Sequence, residues 1–74
     1  MEEDTVITAL AHVIRSRRVA LGYSQDSFAD HIGMHRSYYA ALERGRRNMT
    51  LATLERVGRG LNSTLAQLFA DAGI

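Results

Sequence analysis

Three glycines, Gly22, Gly33 and Gly45, cut the middle of this proline-free, 74-residue chain into pieces eleven and twelve residues long. Pieces of that length suit short helices, and a glycine supplies the left-handed turn that ends one helix and starts the next. Between the glycines the apolar residues recur at helical rather than alternating spacing, so strands are not expected. The expected class is all-α, and the chain is short enough for one domain spanning 1–74. Chains of this size bury only about 60% of the surface their unfolded form exposes, so help from a partner subunit is expected. No cysteine is present to supply a disulfide or a thiolate metal site.

The first helix is expected from about Thr5 to Leu21, with Leu10, Ile14 and Leu21 on one inward stripe and Val13 beside it. Ser24 is a good N-cap for a second helix, whose buried face is Phe28, Ala29 and Ile32 and whose first turn carries Asp26 at the favourable dipole end. A third helix runs from Arg36 to Arg44 with Tyr39 and Leu42 inward and Met34 packed in the preceding turn. Thr50 caps a fourth, with Leu51, Leu54, Val57 and Leu61 inward. Thr64 and Gln67 have capping-box spacing at the start of a fifth, which carries Leu68 and Phe69.

Charge is distributed unevenly along this frame. Residues 1–14 hold three acids and no base, whereas residues 15–59 hold all nine basic side chains against Asp26, Asp30, Glu43 and Glu55, a local balance of nine minus four, +5. Every base is arginine, whose flat fork suits phosphates and guanine edges better than a lysine ammonium does. The acidic start is unlike a signal peptide, and no apolar run approaches the roughly 20 residues of a membrane span. A cytoplasmic protein with no membrane partner is expected.

The pair of helices around Gly33 carries the function. Ala29 is small where two steeply packed helices cross, and Gly33 allows the turn between them. With Tyr39 and Leu42 anchoring the second helix, Arg36, Ser37, Tyr38, Ala40, Ala41 and Arg44 are left without core duties. A helix about 12 Å across, with such side chains on one face, fits a DNA major groove of that width.

These residues resemble a known family. Leu21 through Gly33 is similar to the first half of the helix-turn-helix of lambda repressor and Cro-like regulators, the XRE family. His35 through Gly45 is similar to its recognition helix, and Arg46 through Leu54 to the loop and fourth helix. The Arg-Ser-Tyr…Glu-Arg-Gly-x-Arg-Asn-x-Thr-Leu run resembles controller proteins of restriction-modification systems in particular. The likeness covers roughly residues 8–70. It implies a compact five-helix domain with the helix-turn-helix in helices 2 and 3, acting as a homodimeric, sequence-specific transcription regulator on a two-fold operator.

By the same resemblance Gln25 contacts a phosphate, Arg36, Ser37 and Ala41 face base edges with Tyr38 beside them, and Arg44, Arg46 and Arg47 grip the DNA backbone. Arg36 is the expected guanine reader. Arg18 and Glu43 match an ion pair that ties helix 1 to the end of helix 3. Leu65, Leu68, Phe69 and Ile74 are apolar beyond what so small a core readily hides, and by analogy form the dimer interface. The implied partners are double-stranded DNA, a second copy of the chain and RNA polymerase.

Two positions depart from the family pattern. Tyr39 fills a slot usually held by Ile or Val, so either the core admits a ring or the hydroxyl reaches its edge. His35 stands where a serine N-cap is common.

Other readings are weaker. His31 and His35 have an i, i+4 metal-site spacing, but Gly33 lies between them and no third ligand is near, so no metal is expected. No nucleophile stands with a base and an orienting acid, so neither an enzyme nor a cofactor or small-molecule ligand is expected. The alternative function is a protein-interaction module, such as an antitoxin, on the same fold.

Overall fold

The computed structural model describes the backbone of residues 3–74 and the side chains from Val6 onward. Five helices follow one another: α1 (Glu3–Ala20), α2 (Gln25–His31), α3 (Arg36–Glu43), α4 (Leu51–Gly60) and α5 (Leu65–Asp71). No strand occurs among the described residues. The helices pack α1 on α3 and α5, α2 on α3, and α4 on α5, within 31 × 22 × 21 Å.

Each helix after the first starts where the sequence offers an acceptor, with one exception. The Ser24, Thr50 and Thr64 side chains accept from the backbone N–H three residues on, and Ser24 and Thr64 complete reciprocal capping boxes with Ser27 and Gln67. The exception is His35, which makes no side-chain cap for α3. All five helices end alike, with paired backbone bonds across a left-handed residue. In α2 the Gly33 N–H bonds the Asp30 carbonyl at 3.1 Å and the Met34 N–H bonds the Ala29 carbonyl at 2.8 Å. At the end of α4 that residue is Asn62, at φ 58°.

The core gathers one stripe from every helix: Leu10, Val13 and Ile14, then Phe28 and Ala29, Tyr39 and Leu42, Leu54 and Val57, and Leu68, with Leu61 from the turn after α4. Burying a side chain of this kind stabilises the fold by about 1.5–3 kcal/mol. Rings meet at its centre: Phe28 lies 5.2 Å from Tyr39 and 5.4 Å from Tyr23, and Tyr23 stacks on His31. Close approach of α4 to α2 depends on Gly60, where a Cβ would lie 2.4 Å from Ile32 Cγ2.

Two core expectations and one interface expectation fail. Leu21 is 46% exposed, because α1 ends at Ala20 and the inward place at that level belongs to Arg18. Leu51 is 66% exposed. As the first residue of α4 it lies roughly a quarter of the helix circumference from the Leu54–Val57–Leu61 stripe, at 3.6 residues per turn. Leu68, expected at a dimer interface, is fully buried within its own chain and has no surface to offer a partner.

Candidate nucleic-acid interface

The α2–α3 turn is fixed from below by a residue that sequence reasoning overlooked. Arg56 of α4 donates from Nε to the Ile32 carbonyl at 2.9 Å and from Nη2 to the Gly33 carbonyl at 2.8 Å. Carbonyls at the C-terminal end of a helix carry partial negative charge and lack intrahelical partners, so a guanidinium suits them. Gly33 itself has φ 68°, and a Cβ there would come within 3.2 Å of the Arg56 Nη2 atom. Turn geometry and clamp therefore support each other.

The far end of α3 is anchored by a buried polar network. Glu43 accepts from Arg18 Nε at 2.6 Å, from Arg18 Nη2 at 3.1 Å and from Gln25 Nε2 at 3.0 Å. The Tyr39 hydroxyl donates to the same carboxylate, and Arg18 Nη1 donates to the Tyr23 carbonyl at 2.6 Å. Thus the core admits the Tyr39 ring and its hydroxyl also finds a partner. Among the described residues no buried side-chain polar atom is left without one.

Electrostatics follow from this packing. Burial works to raise the Glu43 pKa, but hydrogen bonds from Arg18, Tyr39 and Gln25 and the Arg18 charge outweigh it and hold the carboxyl below its ordinary value. The Glu43 hydrogen bond raises the Arg18 pKa, and burial followed by the Glu43 contact raises that of Tyr39. The network is therefore an ionised pair with a neutral phenol donating into it.

With Tyr39, Leu42 and Glu43 turned inward, α3 exposes Arg36 and Ser37 and half-exposes Tyr38, Ala40 and Ala41, and Arg44, which caps its end, is exposed as well. Arg46 and Arg47 are exposed in the loop that follows. Arg36, Ser37, Arg44, Arg46 and Arg47 thus make a basic, solvent-facing strip along α3 and beyond its end. Tyr38 is less free than its sequence position implied: it packs against the core, and the Arg47 guanidinium lies 5.0 Å above its ring.

Two expected DNA contacts already have partners within the chain. Gln25 is engaged with Glu43. Arg36 reaches back over the turn to α2, where Asp30 accepts from Nε at 3.3 Å and from Nη2 at 2.8 Å, and Asp26 lies 3.4 Å from Nη1. The opposite charges bracketing the turn were the sequence signal for this contact. Of the expected interface residues on α5 and after it, Leu65 and Phe69 are half-buried and Ile74 is 59% exposed.

A short, clamped helix pair with a basic exposed second helix defines a helix-turn-helix protein. The sequence profile of the helix-turn-helix family HTH_3 matches residues 14–68, and the chain belongs to that family. It is similar to Control protein C.MunI of a Mycoplasma species, 44% identical over 55 residues that span 74% of each chain. It is also similar to Control protein C.SmaI of Serratia marcescens, 37% identical over 65 residues, or 88% of this chain and 77% of the relative. Among solved structures, the restriction-modification controller protein C.Esp1396I, as a tetramer with its natural 35 base-pair operator, superposes with TM-score 0.82 at 27% identity over 90% of this chain and 88% of that one.

Proposed function

We propose that this chain is a cytoplasmic, sequence-specific regulator of transcription of the restriction-modification controller type, bound to duplex DNA as a homodimer. The observation that carries the reading is the exposed, arginine-bearing face of α3, held out from the core by Tyr39, Leu42 and the Arg18–Glu43 pair. The similarity to control proteins and to an operator-bound controller supports it.

In this reading α3 lies in a major groove. Arg36 donates two hydrogen bonds to guanine O6 and N7, with Ser37 and Ala41 along the same edge and Tyr38 beside them. Arg44, Arg46, Arg47 and Gln25 hold phosphates, which fixes register without reading sequence. Gln25 reaches a phosphate only by sharing or leaving its bond to Glu43.

A two-fold pair sets half-sites about one helical turn, ~34 Å, apart. Leu65, Phe69 and Ile74 are proposed for its contact surface, without Leu68. Regulation of transcription brings the bound dimer beside RNA polymerase on the same DNA. Neither catalysis nor a cofactor enters this function.

Selection of bound duplexes from a random oligonucleotide pool, with sedimentation of the protein alone, tests the reading. Two-fold symmetric sites with that spacing and a dimer in solution are expected. Recovery of sequences no more related than the starting pool would remove it.

A further inference from the structure

The contact between Arg36 and two carboxylates of α2 has a consequence for how DNA sequence is read. We infer that Asp30, assisted by Asp26, is a specificity-determining positioning residue that holds the Arg36 guanidinium by one edge and so aligns its other edge for guanine. This inference rests on the proposed role of Arg36 as a base reader.

Asp30 accepts side-on, one oxygen from Nε at 3.3 Å and the other from Nη2 at 2.8 Å. That uses two of the five guanidinium N–H groups and leaves the end-on pair, one hydrogen each on Nη1 and Nη2. An end-on pair is the fork that matches guanine O6 and N7. Asp26, 3.4 Å from Nη1, is a weaker second restraint that shares this nitrogen with the guanine fork, and its long contact is the one that yields when the base docks.

Among the described residues nothing else holds this arginine. The Arg36, Asp30 and Asp26 side chains are 59%, 58% and 63% exposed, so packing does not fix the rotamer. A free arginine gives up considerable rotamer freedom when it docks, and it pairs as readily with a phosphate as with a base. A carboxylate on its Nε edge removes part of that freedom and opposes the swing to phosphate. The hydrogen bond to Arg36 holds the Asp30 pKa below its ordinary value, and the same bond raises that of Arg36, so both stay charged when DNA arrives.

The arrangement carries an opposing effect. Two negative charges beside a polyanion weaken binding to every duplex alike. Asp30 and Asp26 therefore lower general affinity while sharpening choice at one base pair. A residue acting only on fold stability would not move these two quantities in opposite directions.

The test uses a duplex selected from a random pool by the unmodified protein, its three single-base variants at the guanine that Arg36→Ala relaxes, and a random-sequence duplex. Binding is followed by fluorescence anisotropy, and circular dichroism verifies the fold of each variant. Asp30→Ala should reduce the preference for guanine by about 3–10-fold and tighten binding to the random duplex. Asp30→Asn, which keeps the shape and removes the charge, should act in the same direction. In an Arg36→Ala background, Asp30→Ala should leave base preference unchanged and retain only the general tightening. Unchanged or sharpened guanine preference in both Asp30 variants, with Arg36→Ala still relaxing it, would overturn the positioning role alone. An Arg36→Ala protein with unaltered preference at every position would overturn the base-reading role, and this inference with it.

Discussion

Arg18 near the end of α1 grips Glu43 at the end of α3 through two hydrogen bonds, at 2.6 and 3.1 Å, with both side chains almost wholly removed from solvent. The pair joins the first helix of the chain to the helix proposed to enter DNA. Its attraction is offset by the cost of taking two charges out of water, so its main effect is alignment rather than net stability.

Removal of one partner should therefore do more harm than replacement of both. Arg18→Ala leaves a buried carboxylate without its counter-ion and should cost about 3–5 kcal/mol in chemical denaturation. The double change Arg18→Met with Glu43→Leu should cost less than that single one. A double variant less stable than Arg18→Ala would mean that the pair contributes net stability.

Acid stability depends on the same carboxylate. The folded Glu43 pKa lies below its ordinary value of 4.5, so the folded state favours the charged form. This contribution is complete above the unfolded pKa and is lost as pH falls through the folded one. Below about 4.5 the native protein should therefore lose stability more steeply than Glu43→Gln, although the variant is weaker at neutral pH. Denaturation midpoints of the two proteins between neutrality and strong acid check this, and parallel curves would contradict it.

Tyr39 contributes both a packed ring and a donor. Tyr39→Phe keeps the ring against Phe28 and removes the hydroxyl that donates to Glu43. A loss of about 1–3 kcal/mol is expected, because hydrogen bonds to charged groups are the stronger ones. The measurement is equilibrium unfolding in urea, and a stability equal to the native protein's would show that the hydroxyl is dispensable.

Gly60 is the last residue of α4, and a glycine within a helix ordinarily costs up to about 1 kcal/mol relative to alanine. Here the usual gain should be reversed. A Cβ at this position would lie 2.4 Å from Ile32 Cγ2 and 3.1 Å from the Phe28 ring. Gly60→Ala should destabilise by about 1–3 kcal/mol through overpacking, which thermal unfolding will measure.

Local signals were well written in the sequence. Helix starts at Ser24, Thr50 and Thr64 and the turn at Gly33 follow from single residues and their immediate neighbours, and α1 and α3 lie within two residues of expectation. Contacts between elements were harder to read. Periodicity gives the direction of a side chain but not what lies opposite, so Leu21 and Leu51 were turned inward and Leu68 outward. Long arginines were the least legible, because each reaches several ångströms in directions its position does not set. Arg56 on the Gly33 turn, Arg36 on Asp30 and Arg17 on Asp71 all bridge elements through flexible stems. Arg18 and Glu43 were paired only through family resemblance, since 25 residues separate them.

Base-methylation interference on a selected duplex tests most directly whether α3 enters the major groove. Guanine N7 lies in that groove and adenine N3 in the minor one. The native protein should be blocked by N7 methylation at one or more guanines in each half-site, the half-sites being centred ~34 Å apart, and Arg36→Ala should become indifferent to one of them. Interference confined to adenine N3, with every N7 silent, would be incompatible with α3 as the reading helix.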